Sequence, residues 1–424
     1  MGSTIIKQSA ATLCLWPKVC RLWKGHGYYM RDMKRCRARK LVAILMVATL
    51  TMASLSGCSS NKNETTSDQT EETASSDSET GETADTSAEA GTVMSSEEIV
   101  KLAAAEGKVG NWGLGNEYEI QALLTKYGQP ITYLSQAFDM DGFDDDSITL
   151  ASAMTFNELG LVKNSYDGAY NYGDTVGTID MNDEGVAMLE DNIFCTREFA
   201  EQNPNTVKAF IYASMKGWKY ACENPEEAAE IVYKYGSSVS ADHQSYMASE
   251  VKKLVETDMS GNTVTELGKM DETAMSQTLE LAQKYISLDD SAAADQLSKL
   301  TLDDVRDTSY WEAAAASTDG NFGTPEKASV TIQLKWLPQA QFMGYYVAIE
   351  KGYYDEVGLE VNVVSGGGDI SETTAVSNGT VDFGVTWLAN LIAANSGGMD
   401  LLEVSQVYQR SGLVLVYKLD TFTK

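Results

Sequence analysis

Histidine is almost missing from this chain: two occur in 424 residues, at His26 and His243. A Ser-His-Asp triad or a histidine-ligated zinc site needs more than that, so both are nearly excluded. Cysteine is scarce too, with six residues. Cys14 and Cys20 precede the basic segment described below, Cys36 lies within it, and after Cys58 only Cys195 and Cys222 remain. Those two are able to pair in an oxidising compartment, but without a second ligand cluster they make no metal site. Basic residues are outnumbered, 32 against 61 acidic ones, for a formal net charge of −29. Such a chain repels nucleic acid and anionic lipid surfaces, and no nucleic-acid partner is expected.

What is present begins with an export pattern. Residues 31–40 (RDMKRCRARK) are basic, residues 41–53 (LVAILMVATLTMA) are almost wholly apolar, and Leu55-Ser56-Gly57-Cys58 follows. A charged region, a short apolar run and small residues before a cut describe a signal peptide. The run is too short to span a bilayer, which takes about 20 residues. The LSGC sequence resembles the lipobox of bacterial lipoproteins, with Cys58 as the lipidated residue. Residues 1–57 are therefore expected to be a signal peptide, with Met33 as the true start and no function for Cys14, Cys20 or His26. Ten basic residues and one acidic residue lie in that segment, leaving 22 and 60 in the mature chain.

Residues 58–92 are rich in Ser, Thr, Glu and Asp and hold no large apolar side chain. They cannot bury enough surface to offset chain entropy, so they form a disordered tether after the lipid. Roughly 330 residues remain, enough for two lobes with sizeable cores.

In that remainder, SSEE at 95–98 reads as a capping box opening a helix through Ala105. Residues 108–113 read as a strand entering a glycine turn, 116–127 as a helix closing at Gly128, and 131–134 as a short strand. A strand then a helix is expected over 147–162 and a strand at 177–179. Two helices follow over 203–235, with Pro204 and Pro225 in their first turns, and others at 242–257, 271–285 and 302–316. Residues 318–329 form a Gly/Pro connector. Beyond it the pattern becomes regular β-α alternation. Strands fall at 330–336, 359–364, 381–385, 402–407 and 413–417, with helices at 341–354, 370–378 and 387–395. Strands separated by helix-length segments imply mostly parallel sheets covered on both faces, with ligands at the carboxyl ends of strands.

Residues 330–370 (VTIQLKWLPQAQFMGYYVAIEKGYYDEVGLEVNVVSGGGDI) and 381–394 (VDFGVTWLANLIAA) resemble the start of the mature domain in NMT1/THI5-like solute-binding proteins. Residues 107–128, 152–162 (SAMTFNELGLV) and 194–229 resemble the family's middle and C-terminal parts. The most specific element is the spacing of Lys335-Trp336, Gly344-Tyr345-Tyr346 and Lys351-Gly352-Tyr353. The resemblance implies an α/β type II periplasmic-binding fold: two lobes, a hinge and a ligand clamped between them. The segment order differs from the family's, because the part that should open the domain comes last. Circular permutation accounts for this, with 93–317 as the family's middle and C-terminal part, 318–329 as the joining loop and 330–424 as its N-terminal part. A rearranged gene is the alternative.

Relatives in this family bind thiamin-pathway aminopyrimidines, riboflavin-like heterocycles or other small solutes. A flat heterocycle needs aromatic faces and a few hydrogen-bond partners. Trp112, Trp336, Tyr345 and Trp387 are candidate faces, with core packing as the alternative for each. Gln341, Asn390, Asn116, Asn157 and Glu158 are candidate polar partners. Gly366-Gly367-Gly368-Asp369 precedes a helix and offers amides to a carbonyl, carboxylate or phosphate, unless it is simply a tight turn. The spacing of Gly110, Gly113 and Gly115 does not fit a dinucleotide fingerprint.

The resemblance also raises an enzyme, the pyrimidine synthase of thiamin biosynthesis, which uses a lysine, a histidine and iron. Aligned on VDFG, those two positions hold Thr386 and Asn390, and Met188-Leu189-Glu190-Asp191-Asn192 replaces its Cys-rich loop. No catalysis, cofactor or metal is expected. The expectation is a monomeric, lipid-anchored solute-binding protein on the outer face of the cell membrane. It would deliver a small heterocycle to an ABC permease and its ATPase. A ligand-sensing receptor module is a third reading.

Overall fold

The computed structural model describes residues 92–424 except Ala169, Ser237 and the side chain of Asp167. The expected signal peptide at 1–57, Cys58 and the tether up to residue 91 lie outside the described residues. Among the described residues no helix is long and apolar enough to cross a membrane.

Local signals set the element ends. The Ser95 and Glu98 side chains each bond the other's backbone amide, opening the helix Ser96–Glu106 as a capping box. Pro204 and Pro225 occupy the first turns of Pro204–Glu223 and Pro225–Tyr235, where a missing amide costs nothing. Two expected helices are interrupted. Residues 302–316 split into Leu302–Val305 and Thr308–Ala316 because Asp307 caps the second piece, accepting from the Ser309 amide at 2.9 Å. Residues 341–354 split at Gly352, whose φ of +72° breaks the helical path between Met343–Glu350 and Tyr353–Glu356.

Ten strands are present among the described residues: β1 (Gly110–Asn111), β2 (Leu134–Ser135), β3 (Ala151–Met154), β4 (Val176–Asp180), β5 (Asn192–Thr196), β6 (Ser329–Gln333), β7 (Glu360–Val364), β8 (Phe383–Thr386), β9 (Leu401–Gln406) and β10 (Leu413–Lys418). The first lobe is built on a sheet of order β7-β6-β8-β5-β9. Strands β7 and β8 run parallel to β6, whereas β5 is antiparallel to both its neighbours. In the second lobe β1 pairs with β2 in parallel, and a parallel bridge from Val109 to Leu150 links that pair to β3-β10-β4. There β10 is antiparallel to both neighbours. The two lobes thus repeat one arrangement, β7-β6-β8-β5-β9 and β2-β1-β3-β10-β4. In each, the fourth strand follows directly in sequence on the last strand of the other lobe's sheet.

This exchange creates two crossovers between lobes, 181–191 from β4 to β5 and 407–412 from β9 to β10. The architecture is the expected α/β one, but β5 and the helix Ser291–Leu297 were not anticipated from the sequence pattern, and β2 is displaced from the expected 131–134. Val93 pairs with Thr423 as an antiparallel bridge, so the ends of the described chain lie side by side. The connector at 318–329 is stitched down: Glu326 accepts from the Asn205 and Thr206 amides at 3.0 Å, capping Pro204–Glu223. Cys195 and Cys222 are both buried and both free, so the possible disulfide is not formed.

The first lobe's core is tightest where Pro204–Glu223 crosses Met343–Glu350. A Cβ on Gly217 would lie 2.1 Å from the Gly344 carbonyl oxygen, and one on Gly344 would lie 2.3 Å from the Trp218 ring. The close approach depends on both residues lacking a side chain. Gly217→Ala forces the helices apart and is expected to cost about 2–3 kcal/mol; urea unfolding of the variant beside the parent chain measures it.

Candidate functional site

A cavity of about 530 Å³ lies between the lobes, walled by residues of both. Trp112, Asn157, Glu158, Trp336, Gln341, Gly367, Gly368, Asp369, Trp387 and Asn390, all candidates from the sequence, line it. Three candidates sit elsewhere. Tyr345 is buried in the core, edge-on to Trp218 with ring centroids 5.6 Å apart. Asn116 is buried at the start of the helix Glu117–Lys126, donating to Ser152 Oγ at 3.1 Å. Gly366 backs onto the preceding strand, where a Cβ would lie 2.2 Å from the Leu334 carbonyl oxygen.

The glycine turn is also not the open anion cradle that its sequence offered. The Gly366 amide donates to the Trp336 carbonyl at 2.9 Å and the Gly367 amide to that of Lys335 at 3.3 Å. Two of its donors are therefore spent on holding the turn against the end of β6.

Beneath the cavity runs a polar network contributed by four segments. Lys335, just past β6, extends its ammonium to Glu372 Oε1 at 3.2 Å and over the Trp387 ring at 4.8 Å. Thr386 donates to the same Glu372 oxygen at 2.5 Å. Asp191, the last residue of the first crossover, accepts from Trp387 Nε1 at 3.0 Å and from Gln341 Nε2 at 2.8 Å. Burial pushes the Asp191 carboxyl up to about 6, although Gln341, Lys335 and Trp387 all favour its charged form. These bonds fix the planes of Trp387 and Gln341 before any ligand arrives.

The opposite wall carries Glu158, which accepts from the Met154 amide at 3.0 Å and from Asn157 Nδ2 at 2.7 Å. Burial raises its carboxyl to about 7, so its charge changes near neutrality. Glu117, Glu158, Asp369 and Glu372 line the cavity against one lysine, Lys335. With that lysine already paired, the lining favours a neutral or amine-bearing guest over an anion.

The lobes touch across the cleft at two places. Phe138 of the second lobe packs edge-on against Trp336 of the first, with centroids 4.8 Å apart. Asn390 donates to the Leu114 carbonyl at 3.2 Å, and a Cβ on Gly115 would lie 2.2 Å from Asn390 Oδ1. Side chains from both lobes thus meet at the cavity's edge while its mouth stays partly open. Phe138 and Glu372 were missed from the sequence. Phe138 lies in a polar loop without periodicity, and Glu372 reads as an ordinary first-turn acid.

Thr386 and Asn390, at the positions aligned with a catalytic lysine and histidine, make the bonds just described. Among the described residues no group of three or more His, Cys, Asp or Glu side chains is placed to hold a metal. Cys195 lies fully buried in β5.

The NMT1/THI5-like family profile matches residues 80–228 and 339–424, more than half of the chain. The chain belongs to this family. A formylaminopyrimidine-binding protein of Halalkalibacterium halodurans is 29% identical over 94 residues, which make up 22% of this chain and 28% of that protein. The match thus spans under a third of that relative's length. As an NMT1/THI5-like substrate-binding protein, the chain has the two-lobed α/β fold described above, with its cavity where the carboxyl ends of β6 and β8 meet the second lobe.

Lys335 and Glu372 are each about nine-tenths buried, so removing one strands the other. Lys335→Met is expected to lower stability by about 3 kcal/mol. Adding Glu372→Gln to that variant should recover most of the loss, as chemical denaturation of the single and double variants would show.

Proposed function

We propose that this protein captures a small, flat, amine-bearing heterocycle of the aminopyrimidine type and hands it to a membrane permease. The observation that carries this reading is the cavity between the lobes. Trp112, Trp336 and Trp387 line it, with acidic and amide groups between them and its only lysine already paired. Aromatic faces take the ring, and carboxylates and amides take exocyclic amino groups. The formylaminopyrimidine-binding relative supports the same solute class. Thr386 and Asn390 offer neither a Schiff-base amine nor an imidazole, which favours capture over synthesis.

Closure supplies the mechanism. A solute that touches both lobes stabilises the form in which Phe138 meets Trp336, and that form is the one a permease would accept. Lipid on Cys58 and the acidic tether would keep the binding domain beside an ABC permease with its ATPase. The bridge between Val93 and Thr423 brings the segments flanking the folded lobes side by side, which supports a permuted segment order, since joining or cutting there disturbs little.

Tryptophan fluorescence of the purified protein, titrated with formylaminopyrimidine, riboflavin and amino acids, tests the reading. Saturable quenching by the pyrimidine is expected. No response to any pyrimidine or flavin would sink the solute class. Trp336→Ala should weaken binding roughly 5- to 150-fold, the range given by loss of one stacking face of about 1–3 kcal/mol. Its melting temperature should stay near that of the parent, because Trp336 is only partly buried.

A further inference from the structure

The cavity holds more room than a single ring fills. A substituted pyrimidine of about ten non-hydrogen atoms takes on the order of 200 Å³ at the packing density of a protein interior. The space between the lobes is about 530 Å³. Its lining also differs from one part to another. Lys335, Gln341, Glu372 and Trp387, which carry the polar network, are all buried. At the mouth, by contrast, Phe138 and Ile370 are 51% and 46% exposed, and Trp336 is half-buried.

These side chains and the exposed Leu337 converge on the glycine turn. A Cβ on Gly368 would lie 3.3 Å from the Phe138 ring and 3.9 Å from that of Trp336, and one on Gly367 would lie 3.9 Å from Leu337 Cδ2. The Ile370 amide donates to the Gly367 carbonyl at 3.0 Å, which keeps Ile370 beside the turn. Phe138 and Trp336 meet edge-on at 64°, an arrangement that leaves ring faces uncovered. A contiguous apolar patch in water marks a place that something covers. This one is continuous with the cavity, because Phe138, Trp336, Gly367, Gly368 and Ile370 line both. The charges nearby set the polarity of what covers it. Asp369 stands exposed in the turn itself. Among the described residues lining the cavity, Lys335 is the one cation, and Glu372 holds it. A phosphate or carboxylate at the mouth would face a carboxylate and gain no cation.

We propose that the solute has two parts: an amine-bearing ring held over Trp387 and Gln341, and an apolar or aromatic substituent without negative charge that lies against Phe138, Trp336 and Ile370 at the mouth. The ring half rests on the solute-binding reading above; the substituent half adds that a bare aminopyrimidine leaves the mouth unfilled. Covering these side chains removes apolar surface from water, and an aromatic substituent gains ring contacts besides. Phe138 belongs to the second lobe, whereas Trp336 and Ile370 belong to the first. The substituent therefore touches both lobes, and it favours the closed form as the ring does.

Calorimetric titration of the purified protein with two probes tests this. The probes differ only in the group next to the amino-bearing ring carbon, methyl in one aminopyrimidine and benzyl in the other. The benzyl compound is expected to bind about tenfold tighter, the factor that about 1.4 kcal/mol of added burial and ring contact gives. Phe138→Ala and Ile370→Ser should each bring that ratio down to about threefold or less. The ratio is the readout, so a change in lobe closure that acts on both probes alike cancels. Equal affinity of the parent chain for the two probes would overturn the proposal and leave the aminopyrimidine reading standing. A tenfold advantage that survives both substitutions would place the benzyl group elsewhere, overturn the proposal and leave the patch to the permease. Binding of neither probe would overturn the aminopyrimidine reading and the proposal with it. The parent comparison stands even if a variant fails to fold.

Discussion

Backbone ladder bonds at β5 and β10 are what make two lobes into one molecule. Each strand follows directly in sequence on a strand of one lobe, β4 or β9, and inserts antiparallel into the other lobe's sheet. Neither sheet closes its gap without the other half of the chain. Because a buried strand position leaves no backbone donor or acceptor unpaired without penalty, the exchange is an all-or-nothing constraint. Everything that follows, including the cleft, the crossovers and the facing walls of the cavity, is a consequence of that exchange.

The crossovers bring charge into places where charge is costly. Glu190 and Asp191 are neighbours in sequence but serve opposite sides. Glu190 ties one crossover to the other through Ser411 and Gly412, while Asp191 orients Trp387 and Gln341 under the cavity. Joint and floor are thus one covalent step apart. A movement of the lobes cannot be separated from a change in the side chains that meet a solute, which is the coupling that a capture protein needs.

Much of this was legible in the sequence. Helix ends marked by Ser95, Pro204 and Pro225 fell where their chemistry placed them, and ten of the candidate residues line one cavity. The fold followed from β-α alternation and from the family resemblance. What escaped was non-local. β5 is a five-residue strand with only three apolar side chains, after an acidic pair, and only its partners β8 and β9 show that it is a strand. Tyr345 carries the same local pattern as a ligand-facing aromatic, and its burial is decided by Trp218, far away in sequence. The glycine turn offered free amides until the carbonyls of Lys335 and Trp336 used them. Phe138 had no periodic context, yet it closes the cleft against Trp336.

The exchange of strands also has a consequence for how such a chain is made. The second lobe's sheet has a gap until β10, which pairs Leu413 with Met154, has been synthesised. Contacts this distant in sequence form late and slowly. The second lobe's sheet therefore stays incomplete, with open backbone edges on β3 and β4, until the chain has been made as far as β10.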